Sequence, residues 1–146
     1  MIYLLYGQPA SGKTVLGRML AAAKLTTFHI DGDEFRALFS NSSYNKDGRE
    51  ENIKSANAVA TYLNKTQEGD VVLTLVNPYK YLRDELKKNN SGQVLEILLT
   101  SSRELRKEYH VENFEVGNPK IALNTDREIE KTFESLMYCI AKKDYY

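Results

Sequence analysis

Gly7-Gln8-Pro9-Ala10-Ser11-Gly12-Lys13-Thr14 follows directly on the apolar run Ile2-Tyr3-Leu4-Leu5-Tyr6. The octet meets the pattern G-x-x-x-x-G-K-[ST] at every fixed position. Beyond it Val15, Leu16, Met19, Leu20 and Ala23 continue at helical spacing. A strand therefore feeds a glycine-bracketed turn that opens a helix. Gly7 and Gly12 allow backbone conformations closed to most side chains, so successive N–H groups can converge on phosphate oxygens. The new helix adds the positive end of its dipole. Lys13 is placed to reach the β- and γ-phosphates, and the Thr14 hydroxyl to meet Mg²⁺. The bland alternative is an ordinary strand-to-helix turn. A full match between the right flanks favours a nucleoside triphosphate site built from Gly7, Pro9, Ala10, Ser11, Gly12, Lys13 and Thr14.

The bulk properties narrow the classes that remain. At 146 residues the expectation is one domain spanning 1–146, large enough to bury a proper core. Twenty basic and twenty acidic residues cancel, so no net field holds the chain on nucleic acid or on an anionic membrane. The single cysteine, Cys139, lies in an apolar run and reads as a buried structural residue. No stretch approaches the ~20 apolar residues that cross a bilayer. The chain enters its first strand at once, so no secretory leader is expected and the cytoplasm is the expected compartment.

Strands are predicted at Ile2–Tyr6, Thr26–Ile30, Val71–Val76, Val94–Thr100 and Ile121–Leu123. Helices are predicted at Lys13–Lys24, Glu34–Phe39, Arg49–Thr66, Tyr79–Lys88, Ser102–Glu108 and Glu128–Ala141. The strands are continuous apolar runs, as in a sheet covered on both faces. Their alternation with helices implies an α/β fold with a parallel sheet and right-handed crossovers. Ligands bind such sheets outside the carboxyl ends of the strands. Polar residues stand at each of those ends: the glycine loop, Asp31-Gly32-Asp33, Asn77-Pro78-Tyr79-Lys80, Ser101-Ser102-Arg103 and Asn124-Thr125-Asp126.

Phosphoryl transfer to a hydroxyl needs a metal-bound donor, an acceptor held in line, and a carboxylate to receive or orient the hydroxyl proton. Asp33 is the favoured carboxylate for the metal or the hydroxyl, with Asp31 as its support. Either aspartate could instead cap the next helix. The third strand ends without an aspartate, which counts against a GTPase or motor ATPase. Arg36 lies one helical turn beyond Asp33, and Asn52 one turn beyond Arg49. Arginine suits an acceptor carrying a second anionic group. Arg49 could equally pair with Glu50 or Glu51 at the surface.

These stretches together resemble the adenylylsulfate kinases. That family carries Leu-Asp-Gly-Asp-Asn-x-Arg, Arg-x-x-Asn-Ile and Ser-Pro-Tyr-Arg after its phosphate loop. The corresponding stretches here are Ile30-Asp31-Gly32-Asp33-Glu34-Phe35-Arg36, Arg49-Glu50-Glu51-Asn52-Ile53 and Asn77-Pro78-Tyr79-Lys80. The resemblance implies a three-layer fold of the P-loop nucleoside triphosphate hydrolase type, with a five-stranded parallel sheet flanked by helices. It implies transfer from Mg²⁺-ATP to the ribose 3′-hydroxyl of adenosine 5′-phosphosulfate. Lys13, Asp33 and Asp31 would be catalytic, with Thr14 and Asp33 on the metal. Asp33, Arg36, Arg49, Asn52, Asn77, Pro78 and Tyr79 would hold the acceptor, and Tyr44 and Phe114 would sandwich its base. Tyr44 could instead be an exposed loop aromatic, and Phe114 a core plug.

Two departures stand out. Between the fourth strand and Asn113-Phe114 the family's basic lid shrinks to Arg103-Glu104-Leu105-Arg106-Lys107-Glu108-Tyr109-His110, in which Arg106 is preferred over Arg103 for the ATP phosphates. Asn77 replaces the family's serine, so direct transfer is expected, without a phosphoserine at that position. The expected partners are small molecules, with homodimerisation left open. The alternatives are a kinase for another nucleotide-like or sugar hydroxyl, or a non-kinase ATP-binding switch module. His29 reads as a sheet residue and His110 as a surface one.

Overall fold

The computed structural model describes residues 1–103 and 106–142. Its strands are β1 (Ile2–Tyr6), β2 (His29–Asp31), β3 (Val71–Leu75), β4 (Val94–Thr100) and β5 (Ile121–Asn124). The helices are α1 (Lys13–Ala23), α2 (Gly32–Leu38), α3 (Lys46–Thr66), α4 (Lys80–Asn89) and α5 (Ile129–Ala141). All strand pairs are parallel, in a five-stranded sheet of order β2-β3-β1-β4-β5. This is the expected three-layer α/β architecture.

The strands are apolar throughout because both faces of the sheet are covered. Ile2, Leu4, Tyr6, Leu73 and Leu75 point toward α3 and α4, where Ile53, Ala56, Ala60, Leu82 and Leu86 meet them. Their neighbours Tyr3, Leu5, Val72, Leu95 and Ile97 point the other way, onto Leu16 and Leu20 of α1 and Leu136 and Ile140 of α5. Truncating any one of the fully buried leucines to alanine should cost about 2–5 kcal/mol. Cys139 is half-buried beside this second cluster, its thiol free. Among the described residues no helix is long and apolar enough to cross a membrane.

Three predicted elements are corrected. β2 begins at His29, not Thr26, because the Thr26 hydroxyl bonds the Asp70 carbonyl and receives the Phe28 N–H, closing a turn. α3 begins at Lys46, before the predicted Arg49, because Asn45 caps it by accepting from Gly48 N at 2.8 Å. A Cβ on Gly48 would lie 2.5 Å from the Ser43 carbonyl, so only glycine fits there. The helix predicted at Ser102–Glu108 does not form over its described residues. Asp126 draws Ser101 Oγ and Ser102 N out of helical geometry, Arg106 sits at φ 57°, and a single 3₁₀ turn covers Lys107–Tyr109. Glu104 and Leu105 of that prediction lie outside the described residues.

Candidate active site

The carboxyl ends of β1, β2 and β3 open into a cavity of about 230 Å³. Its floor is the glycine loop. A Cβ on Gly7 would come within 2.3 Å of the Leu99 carbonyl, so glycine lets the end of β1 lie against β4. Ala10 and Gly12 follow at φ 62° and 91°, turning the chain into α1. No side chain caps α1, so its first N–H groups remain free for a ligand. Lys13 Nζ arches over the loop, donating to the Gln8 carbonyl at 2.8 Å and to buried Ser11 Oγ at 3.2 Å. Burial pushes its pKa down to about 8, while Asp33 and Asp31 pull it partly back up. An anionic ligand at the loop would relieve that strain on the ammonium.

Gln8 joins the loop to the segment that follows the lid. Its side-chain Nε2 donates to the Val111 carbonyl at 2.8 Å, and its side-chain Oε1 accepts from Val111 N at 2.9 Å. The sequence pattern treats Gln8 as a variable position and carries no signal of this pairing.

The two aspartates hold different positions at the site. Asp31 Oδ1 accepts from the Thr14 hydroxyl at 2.6 Å and from the Thr74 hydroxyl at 2.8 Å, while Oδ2 accepts from Glu34 N and caps α2. Asp33, the expected metal-side carboxylate, makes no hydrogen bond to Thr14. It reaches across the cavity mouth to Arg106, 3.2 Å away. The reason is local: α2 already begins at Gly32, which sets Asp33 in the first helical turn at the cavity's edge. His29 reads correctly as a sheet residue, with Nε2 2.9 Å from Thr74 Oγ1 and a pKa lowered by burial against the opposing pull of Asp31.

Across the cavity stand the residues expected to hold an acceptor. Arg36 is buried, and its Nη1 donates to Asn41 Oδ1 and to the Ser43 carbonyl. Its guanidinium lies 4.4 Å from the centre of the Tyr44 ring, so it also shapes the loop that carries Tyr44. Arg49 lines the cavity, and among the described residues no carboxylate comes within ion-pairing range of it. The pairing with Glu50 or Glu51 is therefore not made. Buried Asn52 donates to the Gly32 carbonyl, tying α3 to the start of α2. Asn77 adopts φ 46°, which asparagine tolerates, and neither its amide oxygen nor its amide nitrogen has a partner among the described residues although both are buried. Arg83 Nη1 donates to the Asn77 carbonyl at 2.7 Å and anchors the Asn77-Pro78 turn.

Two further expectations are corrected. Tyr79 does not line the cavity; it opens α4 with its ring toward Tyr81 and Lys46. Phe114 stacks on Tyr6 at 6.2 Å between ring centres, behind the glycine loop and outside the cavity. The aromatic facing Tyr44 is instead Tyr109, 5.0 Å away, a lid residue that drew no notice in the sequence. Arg103 braces the glycine loop, donating to the Thr125 carbonyl at 2.7 Å and to the Ala10 carbonyl at 3.4 Å, while Arg106 lines the cavity and pairs with Asp33. His110 is exposed, as expected.

The sequence profile of the adenylylsulphate kinases matches residues 1–114, well over half of the chain. The chain belongs to the adenylylsulphate kinase family. With that membership comes the general chemistry of a P-loop kinase, a phosphotransferase that uses ATP and acts on a hydroxyl group. The APS kinase CysC of Mycobacterium tuberculosis, solved with AMPPNP and APS, superposes with a TM-score of 0.77 at 19% identity over 97% of each chain. A gluconokinase from Sinorhizobium meliloti gives 0.68 at 15% identity, covering 96% of this chain and 91% of that one. Shikimate kinase from Aquifex aeolicus gives 0.66 at 16%, covering 99% and 98%. At such identities these likenesses speak to the fold. No curated protein sequence matches the chain.

Proposed function

We propose that the protein transfers the γ-phosphoryl group of ATP to the ribose 3′-hydroxyl of adenosine 5′-phosphosulfate. The observation that carries this reading is Arg49: a guanidinium with no carboxylate partner among the described residues, lining one cavity with the glycine loop. An unpaired cation in such a position suits an acceptor with its own anionic group. Arg36 and Asn52 line the same wall, and Tyr44 and Tyr109, in contact at 5.0 Å, form an aromatic pair at its edge against which a base would pack. The loop amides and Lys13 hold the donor phosphates. Asp33 is the carboxylate free to take the hydroxyl proton once Arg106 leaves it for the transferring phosphoryl group.

The residues present fit a Mg²⁺ ion. Magnesium takes one or two protein oxygens and completes its shell with phosphate and water. The Thr14 hydroxyl gives its proton to Asp31 and so turns lone pairs to the cavity. Thr14, with Asp33 at the rim, would hold the ion, which when bound neutralises charge shared between the β- and γ-phosphates.

Incubation with Mg²⁺-ATP and adenosine phosphosulfate should yield the 3′-phosphorylated product. Absence of turnover with ATP binding intact removes this acceptor. A second reading, a kinase for another nucleotide-like or sugar hydroxyl, draws on Asn77 in place of the family serine and on Phe114 lying outside the cavity. Nucleotides, sugars and polyols tried in the same assay separate the two.

A further inference from the structure

His29, Thr74, Asp31 and Thr14 form an unbroken hydrogen-bonded chain. It runs from the outer strand to the hydroxyl that faces the metal position. His29 Nε2 lies 2.9 Å from Thr74 Oγ1, and Thr74 Oγ1 lies 2.8 Å from Asp31 Oδ1. Asp31 Oδ1 in turn lies 2.6 Å from Thr14 Oγ1. Register brings them together: Asp31 pairs with Thr74 across β2 and β3, and His29 stands two residues before Asp31 on the same face.

Donor and acceptor arithmetic fixes the direction of every proton. An ionised carboxylate only accepts, so both hydroxyls must donate to Asp31. Thr74 has then spent its one hydrogen and can offer His29 only a lone pair. His29 must therefore donate, which places a proton on Nε2. The other acceptor in reach of Thr74, the Ile30 carbonyl at 3.5 Å, is farther away and uncharged. An imidazole with a bare Nε2 would draw the Thr74 proton to itself and set two lone pairs against each other at Asp31.

Helix α1 is fitted closely over this chain. Gly17 sits in the helix interior, where glycine is disfavoured relative to alanine. A Cβ there would stand 2.5 Å from Thr74 Cγ2 and 3.0 Å from His29 Nε2. The backbone gives up helix propensity where the two side chains pass.

We infer that His29 is a positioning residue for the nucleotide site, acting through Thr74 and Asp31 to aim the Thr14 hydroxyl at the bound metal. The inference rests on the ATP-site reading and concerns only how well Mg²⁺ strengthens ATP binding. The readout is therefore the ratio of ATP dissociation constants without and with Mg²⁺, obtained by displacing a fluorescent ATP analogue. His29→Gln keeps an N–H donor near the Nε2 position, whereas His29→Asn falls short of it and His29→Leu has none. The Mg²⁺ ratio should drop about fivefold in the Leu and Asn variants, the scale of one hydrogen bond. It should stay within about twofold of the parent in the Gln variant. Thr74→Val should match His29→Leu, and the double variant should be no worse than either single one. Mg²⁺-free ATP affinity should be common to all.

An unchanged ratio in His29→Leu and His29→Asn would overturn the inference. So would a Gln variant as impaired as the Leu variant, or a double variant whose loss is the product of the two. Should His29→Leu fail to fold, the Asn and Gln pair carries the same comparison. Loss of Mg²⁺-free ATP binding in the unaltered protein would overturn the nucleotide-site reading itself, a result distinct from any of these.

Discussion

The donor side and the acceptor side of the cavity are built differently. The donor side is backbone and buried polar contact: the glycine loop, Lys13 tucked into it, and Asp31 holding two hydroxyls at once. The acceptor side is a wall of helical side chains, Arg36 of α2 and Arg49 and Asn52 of α3, closed at its mouth by contacts such as Arg106 to Asp33 and Tyr109 to Tyr44. A site for the phosphates common to all nucleoside triphosphates can be rigid and generic. A site that selects one acceptor depends on particular side chains, and its mouth lies on the kind of connecting segment that commonly carries specificity.

The sharpest break in this comparison is Lys13→Met. It should lower kcat by about 10²–10³-fold, the scale for removing one group that stabilises developing charge. Thermal unfolding should show no loss of stability, because a depressed ammonium leaves the interior. Next comes Arg49→Ala, expected to raise the acceptor KM by about 10–100-fold while the ATP KM stays put, since hydrogen bonds to charged groups are the stronger kind. Steady-state kinetics with each substrate varied in turn decides it. Equal effects on both substrates would erase the division of the cavity into two sides.

A smaller effect follows from the Lys13 pKa of about 8 in the free protein. Below that pH the ammonium is already charged; above it the proton is lost. Phosphate oxygens favour the charged form and raise the bound pKa, so ATP binding should take up a proton above about pH 8 and weaken as pH climbs further. Calorimetry at about pH 9 in buffers of different ionisation heat reads the uptake directly. The smallest effect is on stability at the rim. Arg106→Ala removes an ion pair whose two side chains are 45% and 62% exposed, and should shift unfolding by less than about 1 kcal/mol.

How much of this was legible in the sequence follows the same division. The glycine loop, the parallel sheet and the polar strand ends could be read because backbone geometry and burial impose fixed residue patterns on them. Arg49 and Asn52 could be read because helical spacing puts them on one face. The contrast between a buried Asp31 and an Asp33 at the cavity mouth could not, since it depends on α2 starting at Gly32 and not two residues later. Tyr109 in place of Phe114 turns on the path by which the short segment after β4 re-enters the cavity. One left-handed residue, Arg106 at φ 57°, redirects that path. No periodicity announces such a turn. The link from His29 to Thr14 was hidden for another reason: it is a property of register between β2 and β3, which pairs residues 43 positions apart.

The account stands or falls on the two sides serving one reaction. ATP consumption at saturating Mg²⁺-ATP, followed while adenosine phosphosulfate is titrated in, tests that directly. A saturable rise in ADP formation, with one phosphoryl group recovered on the acceptor for each ATP consumed, is the predicted result. ADP forming at one slow rate, indifferent to this or any other hydroxyl acceptor, would contradict it and leave a nucleotide-binding switch in its place.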